Sequence, residues 1–218
     1  GGSGSGGTVY AVDGATGDVS WTADVANGDH SAPTITPFGI VVAYACFQVF
    51  ALAPADGGLV WHHDTSCSGG GGRTAAYFDD RVYARDGGTG VVLHAASGGN
   101  ASSFTSSVMP AFSGSSGYFL EHGTLRARDL GTRDALWSFA GDGTLVSAPV
   151  VINKRVFVAS SSGKLYVLQT DTGRRRKTFS LGAPFVTPDE HNAVVLTDMN
   201  AGAGLLAVPA SGRLVVFR

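Results

Sequence analysis

The feature that most restricts the fold of this 218-residue chain is a segment that returns about every 40 residues. Gly7-Thr8-Val9-Tyr10-Ala11-Val12-Asp13 aligns with Phe47-Gln48-Val49-Phe50-Ala51-Leu52-Ala53. It aligns again with Gly123-Thr124-Leu125-Arg126-Ala127-Arg128-Asp129, with Gly163-Lys164-Leu165-Tyr166-Val167-Leu168-Gln169 and with Gly204-Leu205-Leu206-Ala207-Val208-Pro209. The anchors Val9, Val49, Leu125, Leu165 and Leu205 stand 40, 76, 40 and 40 residues apart, and the double gap holds a degenerate copy at Gly90-Val91-Val92-Leu93-His94. A unit this short cannot bury its apolar residues alone, so successive copies must pack on one another.

Each anchor strand leads to a glycine turn, as in Ala15-Thr16-Gly17-Asp18, Asp56-Gly57-Gly58, Asp171-Thr172-Gly173 and Ala210-Ser211-Gly212. Glycine fits there because a tight hairpin needs a positive φ. Trp21, Trp61 and Trp137 end the next strand in three copies, with Lys177 and Val216 at the matching places of later ones. A polar loop and a small-residue–Pro step follow (Ser31-Ala32-Pro33, Ser147-Ala148-Pro149, Gly182-Ala183-Pro184), then two more strands such as Pro149–Ile152 and Arg155–Ala159. The 15 Asp against only Glu121 and Glu190 agree with a chain of turns and strands, since Asp favours turns and Glu favours helices. Four strands per unit, repeated without helical periodicity, predict an all-β β-propeller of four-stranded antiparallel blades.

With strands lettered A to D within a unit, residues 8–24 supply only C and D. Residues 31–64, 72–105, 108–139, 147–179 and 183–217 then supply five full blades of a single domain spanning 1–218. About five and a half blades leave an uncovered sheet edge. The expectation is therefore a C-terminal portion of a longer propeller, or strands completed by another chain. Gly1–Gly7 reads either as a Gly/Ser linker or as a native turn.

An inner strand of the form G-x-L-Y-A-L-D, a turn x-T-G and a Trp four residues later resemble the PQQ-like (pyrroloquinoline-quinone-type) repeat family over nearly the whole chain. The resemblance implies a seven- or eight-bladed parent and Trp residues that dock one blade on the next. WD40 repeats fit less well, because Trp21, Trp61 and Trp137 are followed by Thr22, His62 and Ser138 where that family has Trp-Asp. The PQQ-dependent dehydrogenases of the family hold the quinone with adjacent cysteines and Ca²⁺ with Glu, Asn and Asp. This chain has no adjacent cysteines, and its Trp residues sit in D strands. No cofactor and no metal site are expected, although Glu121, Asp198 and Asn200 are of the right chemistry for a cation.

Alternation of strand direction sends the B–C turns and D–A connections to one face. That face is expected to carry the binding residues Asp29, His30, Gln48, Arg73, Asp86, Glu121, His122, Asp142, Asp198 and Asn200, together with Cys46 and Cys67. The two cysteines fall in one blade on that face. A disulfide between them is expected, with two free thiols as the alternative, and it implies an oxidising compartment. His62-His63 does not make a metal pair, since adjacent strand residues point to opposite sides. Arg174-Arg175-Arg176-Lys177 is the one charge run, read as a solvated hairpin rather than an acidic-partner patch. No Gly-x-Ser-x-Gly elbow or phosphate loop is present. The net charge of −2 offers no electrostatic case for nucleic acid, and no apolar run is long enough to span a membrane. The reading is a non-catalytic ligand- or protein-binding scaffold or sensor domain of an exported or membrane-anchored bacterial protein. Its partner is expected to be a protein, a peptide or a small ligand on the loop face. The alternative is a fragment or degenerate relative of a quinoprotein dehydrogenase.

Overall fold

The computed structural model describes residues 7–25, 31–65, 71–189 and 198–218. The chain divides into two compact units, Gly1–Phe104 with Glu190–Val195, and Thr105–Asp189 with Leu196–Arg218. In the first unit β1 (Gly7–Val12) and β2 (Val19–Val25) form a hairpin. Two four-stranded sheets in chain order follow it. The first comprises β3 (Thr34–Thr36), β4 (Gly39–Tyr44), β5 (Gln48–Leu52) and β6 (Leu59–His63), and the second β7 (Ala76–Phe78), β8 (Arg81–Asp86), β9 (Thr89–His94) and β10 (Asn100–Thr105).

The second unit repeats the plan. One sheet holds β11 (Ala111–Ser113), β12 (Ser116–Glu121), β13 (Thr124–Asp129) and β14 (Ala135–Phe139). The next holds β15 (Val150–Ile152), β16 (Arg155–Ala159), β17 (Lys164–Gln169) and β18 (Arg175–Ser180). A three-stranded sheet of β19 (Asn200–Gly202), β20 (Leu205–Ala210) and β21 (Arg213–Phe217) completes the described residues.

The third strands β5 and β17 read as apolar runs because both of their faces are covered, whereas β13 alternates buried Leu125 and Ala127 with Arg126 and Arg128. In β5 all five residues are buried. Val49 and Ala51 join a cluster with Val82, Ala84 and Leu93 of the following sheet, while Phe50 and Leu52 join Val9, Val25 and Trp21 of the preceding hairpin. In the second unit Tyr166 and Leu168 pack with Leu120 and Leu125, and Leu165 packs with Leu206 and Val208. The fourth strands are exposed at the sheet edge, as in β18, where only Phe179 is partly covered.

A five-residue turn joins the third and fourth strands five times over. The amides of Asp13, Ala53, His94, Asp129 and Gln169 donate to the carbonyls of Asp18, Gly58, Gly99, Asp134 and Arg174. The amides of Gly17, Gly57, Gly98, Arg133 and Gly173 donate back to the first residue of each turn, all with positive φ. Three of these turns carry a tryptophan contact. The Trp21, Trp61 and Trp137 indole N–H groups each donate, at 2.9 Å, to Pro54, Ala95 and Thr170 carbonyls in the turn of the next sheet. Gly57, Gly98 and Gly173 lie so close on those rings that an added Cβ would stand 2.5–2.6 Å from a ring carbon. Glycine is required there for both its φ and its missing Cβ.

The last sheet differs from the repeat register. Leu205 is expected in a third strand, but β20 is the second strand of its sheet. Like β3, β7, β11 and β15, β19 has three residues, and it packs beside β15 as β7 packs beside β3 and β15 beside β11. The amide of Ala32 donates to Thr74 Oγ1, two residues before β7. In the same way the amide of Ala148 donates to Asp198 Oδ2, two residues before β19. The turn into β20 is Ala203-Gly204, with φ values of 50° and 76°, matching Asp79-Asp80 and Asn153-Lys154 between first and second strands elsewhere. The copy expected over 183–217 is thus represented, among the described residues, by a first, second and third strand. Apolar alternation cannot distinguish a second strand from a third, and the five-residue turn that marks the end of a third strand is absent after Pro209.

Candidate functional site

In the first unit the loops around Cys46 and Asp86 meet. A single 3-10 turn, Ala45–Phe47, joins β4 to β5, with Cys46 and Phe47 at φ 62° and 57°. The Cys46 amide donates to Asp86 Oδ2 at 2.8 Å, and Arg73 pairs with Asp86 Oδ1 at 3.7 Å. The Thr65 hydroxyl donates to the Cys46 carbonyl, and the Ala45 amide to the Gly71 carbonyl. Asp86, the last residue of β8, therefore fixes the turn between the second and third strands of the preceding sheet. Buried Gln48 donates from Nε2 to Asp64 Oδ1 at 2.9 Å and to the Thr65 carbonyl at 2.8 Å, so its Oε1 accepts from His62 Nε2 at 2.7 Å. His62 stacks on Phe50 with centroids 3.9 Å apart. Burial against that ring lowers the imidazole pKa, the Asp64 charge opposes the shift and His63 adds to it.

In the second unit Glu121 is met by Arg126 Nε at 2.9 Å and Arg128 Nη2 at 3.0 Å, an ion triad at the turn between β12 and β13. Asp142, in the loop after β14, accepts from the Thr144 amide and hydroxyl at 3.2 and 2.9 Å and from Ser160 Oγ at 3.2 Å. Ser162 Oγ lies at 2.5 Å and Lys164 Nζ at 3.4 Å. Burial acts to raise this carboxyl, but the Ser162 and Thr144 hydroxyls, the Thr144 amide and Lys164 outweigh it and hold the group well below the usual carboxylate range. Asp198 accepts from the Ala148 and Met199 amides at 2.5 and 2.6 Å. His122 is an exposed turn residue with φ 48°, and Asn200 is exposed in β19.

Within each unit the structure thus brings together Gln48, Arg73 and Asp86 with Cys46, and Asp142 with the Ser160–Lys164 turn. It leaves Glu121 in its own triad and Asp198 beside Ala148. Asp29, His30 and Cys67 lie outside the described residues. Cys46 is not a free thiol. The partners missed in the sequence are Asp64, Thr65, Arg126, Arg128, Ser160 and Ser162. The alternation of Arg126 and Arg128 beside Glu121 was a usable signal, since these residues share one side of a hairpin. Among the described residues no three His, Cys, Asp or Glu side chains converge as metal ligands, and no helix is long and apolar enough to cross a membrane.

The profile of a family described as outer membrane protein assembly factor BamB matches residues 3–101 and 45–218. The chain belongs to this PQQ-like repeat family. No curated protein matches it in sequence. Solved structures share the family's β-propeller fold. BamB from Moraxella catarrhalis is 18% identical, with a TM-score of 0.61 over 86% of this chain and 57% of its own length. Quinohemoprotein alcohol dehydrogenase from Comamonas testosteroni is 16% identical, with a TM-score of 0.66 over 93% of this chain and 48% of its own. The computationally designed Ika8 protein is 15% identical, with a TM-score of 0.71 over 93% of this chain and 62% of its own. This PQQ-like chain therefore spans about half to two-thirds of the propellers it resembles.

Proposed function

We propose that this PQQ-like propeller chain is a non-catalytic binding scaffold of an exported or membrane-anchored bacterial protein. It holds a protein, peptide or small ligand on the side formed by the B–C turns and D–A connections. One observation carries the reading. In the loops of this kind, Asp86 in the first unit and Asp142 and Asp198 in the second direct their carboxylates at backbone amides or hydroxyls of nearby loops of their own unit. Such bonds fix loop conformation before a partner arrives, which lowers the ordering cost of binding. The family description, an assembly factor, supports a protein partner. The reading includes a Cys46–Cys67 disulfide, a bond that belongs to an oxidising compartment.

The test places a photo-crosslinking residue at Thr89 or Ser162, in loop-side turns, and at Ser97 or Thr132, in turns at the opposite sheet ends. A scaffold of this kind gives a discrete cross-linked species from the first pair only. Equal labelling from both pairs would refute the face assignment. Visible absorbance and dye-linked alcohol oxidation after addition of PQQ and Ca²⁺ would instead favour a quinoprotein.

A further inference from the structure

The net charge of −2 conceals a division along the chain. Of its 15 Lys and Arg residues only Arg73, Arg81 and Arg85 precede residue 105, whereas nine of its 15 Asp residues do. The division is sharpest in the turns after the first and third strands of each sheet, which share one end of the strands. In the first unit these turns carry exposed Asp13, Asp18, Asp56, Asp79 and Asp80, and among the described residues the one cation beside them is Arg81. In the second unit they carry Arg133, Lys154 and Arg174, with Arg155 and Arg175 opening the strands that follow, against Asp129, Asp134 and Asp171. Two positions of the repeat change sign outright. Asp18 and Arg174 both close the five-residue turn through the same carbonyl bond. Asp80 and Lys154 are both the second residue of the turn between first and second strands, at φ 57° and 60°.

These charges are left without counter-charges. The ion pairs among the described residues centre on Asp86, Glu121 and Asp142 at the other end of the strands, and none reaches the turns just named. Like charges gathered in this way repel one another and raise the local potential. Protection of a sheet edge does not account for the cations, because the edge strands β6, β10 and β14 contain no Lys, Arg, Asp or Glu. The turns are also fixed in place. The Thr170 amide donates to the Lys154 carbonyl at 3.3 Å, and the Trp137 indole donates to the Thr170 carbonyl at 2.9 Å. In the first unit the Ala95 amide donates to the Asp80 carbonyl at 3.1 Å. Each unit thus presents a preformed charged surface, acidic in one and basic in the other.

We propose that these turns form a self-association surface, on which the acidic turns of one copy of the chain dock on the basic turns of a second copy. A nucleic acid or an anionic bilayer meets the cations alone. A second copy meets both signs, and its arginines pair with the exposed carboxylates. The contact joins different patches, so it builds head-to-tail assemblies. It lies at the opposite end of the strands from the loops of the scaffold reading, and a cross-link between copies has twice the mass of the chain. Either reading can therefore fail without the other.

The test is sedimentation velocity of the 218-residue chain in about 20 mM and about 500 mM sodium chloride, where screening differs several-fold in range. The native chain should associate at low salt and do so at least about tenfold more weakly at high salt. Two double variants exchange the signs: Asp18→Arg with Asp80→Lys, and Lys154→Asp with Arg174→Asp. Each new residue already stands at the same backbone position in another sheet, as Arg174, Lys154, Asp80 and Asp18 show, and circular dichroism verifies the fold. Each variant alone should associate at least about tenfold more weakly than the native chain. An equimolar mixture of the two should recover association, because one supplies intact basic turns and the other intact acidic turns. A native chain that stays monomeric at low salt would overturn the proposal, as would association that persists at high salt or a mixture that stays apart. Binding of the native chain to phosphatidylglycerol vesicles in place of self-association would also overturn it and assign the cations to a bilayer.

Discussion

Gly17 and Gly57 occupy the same place in the same five-residue turn, with φ values of 81° and 75° and the same 2.9 Å bond to the turn's first carbonyl. Their surroundings differ. A Cβ at Gly17 meets nothing within 4 Å, whereas at Gly57 it stands 2.6 Å from Trp21 Cε3 and 3.0 Å from Cδ2 and Cζ3. Alanine at either site meets the left-handed backbone cost of about 1–2 kcal/mol, offset by roughly 0.4–1 kcal/mol from the stiffer unfolded chain. Gly17→Ala should therefore cost about 1 kcal/mol. At Gly57 the ring must also retreat by about 1 Å to restore ordinary carbon–carbon contact. That adds roughly 1–3 kcal/mol of overpacking and weakens the Trp21–Pro54 bond by up to about 1 kcal/mol. Gly57→Ala should thus exceed Gly17→Ala by about 2–3 kcal/mol in urea unfolding followed by circular dichroism, with unchanged m-values. In a Trp21→Ala background the gap should close, because the obstructing ring is gone. Equal costs of the two substitutions in the native background, or a gap that persists without Trp21, would show that the ring–glycine contact is not what demands glycine.

Other perturbations follow from the loop bonds. Asp142 has a depressed pKa, so its contribution to stability is present above the unfolded value of 3.8 and is lost as pH falls below it. Asp142→Asn should cost about 1–3 kcal/mol at neutral pH and flatten the melting temperature between pH 4 and 2, measured by acid-series thermal melts. His62 is shifted the other way for a base: the folded state resists protonation, so stability is full above 6.5 and declines as pH falls through the lower folded value. His62→Gln should remove that step from the same melts, and an unchanged profile would contradict it. A Cys46–Cys67 bridge closes a 21-residue loop and should contribute about 3 kcal/mol. Cys46→Ser should then lower the melting temperature only without reductant, and a native mass two hydrogens below the reduced one should accompany it.

Most of the fold was legible because each third strand buries its anchor residue and repeats at a fixed spacing, with β5 and β17 buried on both faces. Val9, Val49, Leu125 and Leu165 all lie in the predicted strands β1, β5, β13 and β17, and the degenerate copy at Gly90–His94 lies in β9. A doubly buried strand such as β5 or β17 needs a continuous apolar run, and the buried anchor recurs even in β13, where arginines alternate with it. The misplacement of Leu205 has the same origin. Leu206, Val208 and Ala210 are buried at alternate positions in a second strand, a pattern that also satisfies the anchor. What separates the two is the turn: five residues after a third strand, two at Ala203-Gly204 and at Ser211-Gly212. The site was legible only as a face. Cys46 and Asp86 are 40 residues apart, and Ala148 and Asp198 are 50 apart. Their bonds depend on how consecutive sheets abut, and one copy of the repeat carries no record of that.

The same dependence on neighbours explains why the repeat tolerates Lys177. In a stacked array each sheet is stabilised by its own hairpins and by the seam to the next. Where the seam is a tryptophan on a glycine turn, ring, carbonyl and glycine must be kept together, and Trp21–Gly57, Trp61–Gly98 and Trp137–Gly173 are. The seam between β15–β18 and β19–β21 keeps the aromatic pair that also accompanies Trp137, where Phe139 packs on Tyr166 with centroids 5.2 Å apart. Phe179 packs on Phe217 with centroids 5.0 Å apart, and Phe185, Met199 and Leu206 fill the space between the sheets. Among the described residues this seam is therefore held by apolar packing without an indole bond to a turn carbonyl, and that packing suffices to keep β19–β21 on its neighbour when a lysine stands at the tryptophan position.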